Sequence, residues 1–477
     1  MPARPDSSRV PDRTIHFVSL GCPKNRVDTE VMLGVSGESG YRLTDDAAAA
    51  EVIVVNTCGF IGEAKKESIA TIFELSEMKK HGVCKKLVVT GCLSQRYSKD
   101  LEQQMAEVDH FLGSSDMLKL GRVLASDDAP RMLVGNPADW VIRASDPRVV
   151  TESQVSAYLK LAEGCNRTCA FCTIPDFRGK QRSRTEDDVV REAEQLAARG
   201  IVELNLISQD TVSYGRDLVG AAAAKGALAR LVERVADVSG VRWVRLFYLY
   251  PETLDPALVE LLAHHPRVVP YVDMPLQHAA DAMLKRMRRG HGKDRQKRVV
   301  EQLRTSVPKL SFRTAFIVGH PGETDAEFDE LCEFAKWAEF EHMGVFRFSD
   351  EESAQTYPMP DKVKPLVAAN RYRKLMALQR KIARRKNQQQ IGQELDVLVT
   401  GTSDEHEFVL EGRHAGQAPG IDGKVFLSGD VARAGQIRRV RVEQASDYDL
   451  VGELLPLDGG VRPTGATKKR RVSLKVV

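Results

Sequence analysis

The sequence of 477 residues nowhere holds the ~18 consecutive uncharged apolar residues that a membrane helix needs. Its first residues, MPARPDSSRVPDRT, lack the apolar core of a secretory signal. Eight cysteines are too few for a disulfide-built scaffold. A large net charge is missing as well, with 69 Lys and Arg against 66 Asp and Glu, so bulk charge points to neither nucleic acid nor a membrane surface. The expectation is a cytoplasmic chain with no membrane partner and reduced thiols. With 42% hydrophobic and 28% charged residues the composition is ordinary globular, and the length suggests two to four domains at roughly 100–200 residues each.

What is present is a repeating alternation. IHFVSL (15–20), EVIVVN (51–56) and KLVVT (86–90) are short apolar runs, each followed by a loop and a helical stretch. That pattern predicts a parallel-sheet α/β domain over residues 14–125, after a disordered lead of residues 1–13. Residues 126–150 lose the periodicity and read as a linker. A second alternation, 151–385, has strand candidates at 157–164, 202–208, 242–250, 268–274, 312–319 and 342–349. Six β/α units are too few for the roughly 250 residues of a closed eight-fold barrel, so they predict an open, partial TIM-type (β/α)6 barrel. From Pro365 to Gln390 eight Lys and Arg occur with no acid, in one basic helix. That helix either packs an apolar stripe on the barrel or touches RNA. Residues 389–456 show short β runs parted by Gly and Asp, which predict a small β-barrel. Residues 457–477, with Lys468, Lys469, Arg470 and Arg471, read as a disordered basic tail.

The cysteines fall into two groups and a remainder. Cys22, Cys58 and Cys92 are 36 and 34 residues apart, yet each sits just past a predicted strand. Carboxyl ends of parallel strands line one crevice, so the three thiols can converge. Cys165, Cys169 and Cys172 stand in a C-x3-C-x2-C loop after the first strand of the second domain. Three thiolates in a tight loop suit a four-iron cluster with one iron left open. Structural zinc remains the alternative, although it wants a fourth ligand and none lies near in sequence. Cys84 precedes a strand and Cys332 sits within a helical pattern, and both read as structural.

The loop GCNRTCAFC, with Phe171 before its last cysteine, resembles the radical S-adenosylmethionine (SAM) enzymes. AFIVGHPGETDAEF (315–328) resembles their glycine-rich strand end, although taken alone it is equally an ordinary strand-to-helix turn. The added Cys22/Cys58/Cys92 trio resembles the methylthiotransferase family within that superfamily, and the resemblance covers nearly all of residues 14–455. It implies two 4Fe–4S clusters, one held by Cys22, Cys58 and Cys92 and one, binding SAM, by Cys165, Cys169 and Cys172. It implies Phe171, Glu203, Gln209, Gly319, Gly322 and Glu323 near SAM, a C-terminal module of the TRAM type, and as partners a reductant such as flavodoxin or ferredoxin and a sulfur donor. His320 departs from the pattern, in which an aromatic residue is common after the glycine.

Two branches of the family differ in substrate. One modifies adenosine in transfer RNA. The other modifies the β-carbon of an aspartate in small-subunit ribosomal protein S-twelve, free or in the ribosome. VSLGCPKNRVDTE (18–30), EGCNRTCAFCTIPDFRGKQRSR (163–184) and GRHAGQAPGIDGKVFLSG (412–429) resemble the second branch. Charge agrees with it: residues 391–456 carry twelve Asp and Glu against six Lys and Arg, which suits a basic protein partner better than phosphate. The candidate docking acids are Asp404, Glu405, Glu407 and Glu411. A non-catalytic iron–sulfur carrier is the remaining alternative, and carriers usually give every iron a protein ligand.

Overall fold

The computed structural model describes residues 13–151, 153–220, 225–251, 254–403 and 409–456. The expected lead (except Arg13) and basic tail lie outside the described residues, as do Asp404, Glu405 and Glu407. No described helix is long and apolar enough to cross a membrane.

Strands β1 (Thr14–Ser19), β2 (Arg42–Leu43), β3 (Val52–Thr57), β4 (Lys86–Gly91), β5 (His110–Leu112) and β6 (Met132–Leu133) form one parallel sheet, ordered β2-β1-β3-β4-β5-β6. The central strands are apolar on both faces because helices cover both. Val52, Val54 and Val88 pack with Val27 and Val31 of the helix Pro23–Glu38, while Ile53, Val55, Leu87 and Val89 pack with Ile72 and Leu75 of the helix Gly62–His81.

The segment expected to be a linker, 126–150, is instead a strap. Its β6 pairs with β5. Arg131 donates to the carbonyls of Glu102, Met105 and Val108. Arg148 is buried, where it pairs with Glu30 of the first domain at 2.6 Å and with Glu192 of the second. A two-residue strand shows no periodicity, and a buried arginine looks like a solvated one in a sequence.

The second domain holds β7 (Ser156–Lys160), a short antiparallel pair β8 (Ala162–Glu163) and β9 (Arg182–Ser183), then β10 (Glu203–Ile207), β11 (Trp243–Leu246), β12 (Val268–Asp273), β13 (Ser311–Val318) and β14 (His342–Arg347). Six of these form an open parallel sheet, ordered β14-β13-β12-β11-β10-β7. Leu204, Leu206, Val244 and Leu246 pack under the helices. The alternate residues face the concave side, where the rings of Tyr158 and Tyr271 lie 6.3 and 6.0 Å from that of Phe247.

A closed barrel follows, of β15 (Glu394–Thr402), β16 (Leu410–His414), β17 (Val425–Gly429), β18 (Ile437–Ala445) and β19 (Leu450–Leu454). The end of β16 and the loop after it, residues 413–422, pack on the amino-terminal end of the half-barrel. Tyr271 and Arg313 donate to Asp422 at 2.8 and 2.6 Å, and Ser311 donates to Gly416 O at 3.0 Å. The basic helix Pro365–Gln388 buries Ala368, Leu375 and Ile382 against the second domain and pairs Lys374 with Asp329 and Arg385 with Glu339. Of the expected docking acids Glu411 alone is described, and it pairs with Lys424 at 3.0 Å.

Candidate active site

Cys22 follows β1, Cys58 follows β3, and Cys92 opens the short helix Cys92–Arg96 after β4. Their loops abut. Gly21 has φ +92°, and a Cβ there would lie 2.8 Å from Cys58 Cβ; a Cβ on Gly59 would lie 2.8 Å from Cys92 O. Asn25 ties the loops together by donating to Leu20 O at 3.0 Å and Thr57 O at 2.8 Å. The Cys22 and Cys58 side chains are half-buried and Cys92 is buried.

Cys165, Cys169 and Cys172 occupy the loop after β8. Backbone N–H groups of Arg167 and Ile174 point at Cys165 Sγ (3.4 Å) and Cys172 Sγ (3.5 Å), and Arg289 Nη1 donates to Cys169 Sγ at 3.2 Å. The loop is held by Cys172 N donating to Cys169 O at 3.0 Å and Ala170 N to Met287 O at 3.0 Å.

Burial pushes the Cys165 thiol up to about 11 and those of Cys92 and Cys172 up to about 12. Left alone these groups stay neutral at pH 7. A cationic metal is what turns buried thiols into thiolates, and the N–H and guanidinium donors around them suit sulfurs that carry charge. Both donor sets therefore fit an iron–sulfur cluster.

The two trios are joined by a buried polar network. Arg178, on the short helix Ile174–Arg178 that follows the second trio, donates from Nε and Nη2 to Cys92 Sγ, each at 3.2 Å. The same guanidinium reaches Asp28 Oδ2 at 2.8 Å, Glu163 Oε1 at 3.2 Å and Asn25 Oδ1. Lys160 neutralises Asp28 (2.5 Å) and Glu163 (2.8 Å) from the other side. One loop after β11 also serves both trios. Tyr248 lies under Lys24, two residues from Cys22, while Tyr250 carries Arg167 and Arg289 on its ring at 3.8 and 4.3 Å, beside Cys165 and Cys169.

The other expected residues divide. Phe171 packs against Ala280, Met283 and Met287. Gln209 lies past the carboxyl end of β10, donates to Glu163 Oε1 at 2.8 Å, and keeps a buried Oε1 without a partner, so it has an acceptor to offer a ligand. Gly319 and Gly322 form the turn after β13 with φ +80° and +76°. Glu323 closes that turn: its carboxylate accepts from Gly319 N, from Arg371 at 2.7 Å and from His278 Nε2 at 3.2 Å, so the fold uses it. Glu203 needs correction as a SAM contact. It begins β10, at the end of the sheet away from the cysteine loops, fully buried between Arg245 (3.1 Å) and Arg413 of the β-barrel. Cys84 packs in the first-domain core and Cys332 in that of the second.

Sequence reasoning missed Lys24, Asn25, Asp28, Lys160, Glu163, Arg178, Tyr248 and Arg289. For Arg178 the available signal was its place six residues after Cys172.

An open six-stranded parallel half-barrel with three cysteines on its first loop defines the class, and the radical SAM superfamily is matched over residues 159–335. Residues 14–113 match the uncharacterized protein family UPF0004, and 391–455 match the TRAM domain. The radical SAM methyltransferase TsrM from Kitasatospora setae, bound to cobalamin and a [4Fe-4S] cluster, shares the fold, with a TM-score of 0.52 at 14% identity over 72% of this chain and 74% of that one. Similar curated proteins include the "Ribosomal protein uS12 methylthiotransferase RimO" of Sorangium cellulosum, 67% identical over 98% of this chain and 97% of that protein, and the one of Myxococcus xanthus, 47% identical over 93% and 92%. The chain belongs to this RimO family of radical SAM methylthiotransferases.

Proposed function

We propose that the chain adds a methylthio group to the β-carbon of an aspartate in ribosomal protein uS12, holding one 4Fe–4S cluster in each cysteine trio. The carrying observation is that two three-cysteine sites, each short of a fourth protein ligand in its own loops, are linked by Arg178, which bonds Cys92 from the helix that follows Cys172. A β C–H next to a carboxylate has no useful acidity at neutral pH, so general-base chemistry does not serve, and the reaction calls for a cofactor. When bound, a SAM-ligated cluster supplies a hydrogen-abstracting radical and the other cluster an iron open to exogenous sulfur. The chain does the rest. Cys165, Cys169 and Cys172 hold the first of these and Cys22, Cys58 and Cys92 the second. Arg289 and Arg178 offset the charge that thiolates acquire. Gln209 presents its free acceptor at the same sheet edge.

The reductant is a low-potential carrier such as flavodoxin or ferredoxin, a sulfur donor completes the reaction, and the setting is cytoplasmic. The relatives named for uS12 favour this reading over modification of transfer RNA. The test is mass spectrometry of ribosomal proteins and transfer RNA from cells lacking the chain. Loss of the methylthio group from uS12 alone supports the reading, and loss from transfer RNA alone overturns it.

A further inference from the structure

Lys24 is 8% exposed, yet among the described residues its ammonium has no hydrogen-bond or ion-pair partner. What it has is the face of Tyr248, with Nζ 3.3 Å from the ring centroid. Cys22, two residues away, is its foremost electrostatic neighbour, followed by Glu163 and Asp273, and none of the three hydrogen-bonds it. The nearby acids are engaged elsewhere. Glu163 and Asp28 are shared between Lys160 and Arg178. Asp273 accepts from Tyr248 N at 3.1 Å and faces Arg313 at 3.7 Å.

Tyr248 is itself held in an uncommon state. Its φ is +59°, in the left-handed region that bulky residues avoid. Two hydrogen bonds fix it there: Tyr248 N to Asp273, and Thr211 N to Tyr248 O at 3.1 Å. Strain of this kind persists only where surrounding structure imposes it, and it gathers at functional sites. Here it sets the ring under Lys24. The pair lies where the first-domain cysteine loops meet the carboxyl ends of β11 and β12, and Tyr250 of the same loop borders the second trio.

We propose that Lys24 is the anchor for the substrate's side-chain carboxylate, which fixes the aspartate between the two cysteine trios and selects a carboxylate over an amide. This rests on the function proposed above. The ammonium supplies a counter-charge for the aspartate and gains the hydrogen-bonding partner it lacks. An asparagine in that place can accept a hydrogen bond but brings no charge to meet the ammonium.

The test uses the reconstituted enzyme and isolated uS12, with either aspartate or asparagine at the modified position, and reads equilibrium binding. Charge-assisted hydrogen bonds predict that the wild type prefers aspartate by about 10–100-fold. Lys24→Met and Lys24→Gln keep their iron and bring that ratio close to one, while Lys24→Arg restores much of it. A purely structural lysine would weaken both substrates alike and leave the ratio intact. A neutral variant that keeps both its iron and the full aspartate preference overturns the proposal. So does a wild type that methylthiolates uS12 yet binds the two forms equally, and this outcome needs no variant. A wild type that leaves uS12 unmodified contradicts the proposed function instead.

Discussion

Arg178 donates two hydrogen bonds, each of 3.2 Å, to the thiol of Cys92, although the two residues belong to different domains. The arginine stands on the helix that begins just past Cys172, so the loop that holds one trio is braced against a cysteine of the other. Fixed separation follows from this. The guanidinium is fully buried and its remaining donors meet Asp28, Glu163 and Asn25, which leaves it no freedom to swing.

Replacing Arg178 by Met should cost roughly 3–5 kcal/mol, the usual consequence of removing one partner from a buried charge network. Denaturant midpoints measure it. Arg178→Lys keeps the charge but loses the two-pronged contact with Cys92. Fewer donors to a cluster sulfur should lower that cluster's reduction potential. A redox titration followed by electron paramagnetic resonance should find the first-domain cluster shifted downward and the second unchanged.

Gly21→Ala should remove iron from the first trio alone. The position has φ +92°, and the new methyl carbon would lie 2.8 Å from Cys58 Cβ, so the Cys58 loop must move. Iron analysis of the reconstituted variant should give about half the wild-type content, since the proposed function gives each trio one of two four-iron clusters. Full wild-type iron would mean that the Cys58 loop tolerates the shift.

The cysteine positions were legible in the sequence because strand–loop–helix alternation places residues after β1, β3 and β4 on one edge. The six-stranded half-barrel and the small β-barrel were legible for the same reason, since apolar runs of strand length recur between helical stretches. The network that joins the domains was not. Asn25, Asp28 and Glu30 lie on a helix whose charges look solvated, yet they are buried against the second domain. A polar residue in a sequence does not announce its partner when that partner is 150 residues away, as Arg178 is from Asp28. Glu203 failed for the opposite reason. A carboxylate on a barrel strand reads as a ligand contact, but the first residue of β10 faces the end that Arg413 closes.

Glu203 gives a pH dependence. Burial pushes its carboxyl up, but Arg413 and Arg245 outweigh this and hold it at about 2 against an ordinary 4.5. A depressed value means that the folded state binds fewer protons than the unfolded one. The stabilisation is therefore complete above about 4.5 and is lost as pH falls toward 2. Glu203→Gln should flatten that part of the acid unfolding curve and loosen the β-barrel from the half-barrel. Limited proteolysis between pH 7 and 3 checks both.

Cys84→Ser and Cys332→Ser should retain full iron. Both side chains pack in hydrophobic cores, away from either trio. Each should lose stability by roughly 1–3 kcal/mol, because a hydroxyl replaces a thiol in an apolar setting. Iron loss from either variant would contradict the assignment of ligands.

The most direct measurement separates the two trios by their products. Under reducing conditions, with SAM, a sulfur source and uS12, the wild type should form both 5′-deoxyadenosine and methylthiolated uS12. A variant with Cys22, Cys58 and Cys92 all changed to Ala should still release 5′-deoxyadenosine and leave uS12 without the methylthio group. The matching variant of Cys165, Cys169 and Cys172 should release none. If the first-domain variant lost both products while keeping the iron of the second trio, or still methylthiolated uS12, the division of labour between the two sites would be wrong.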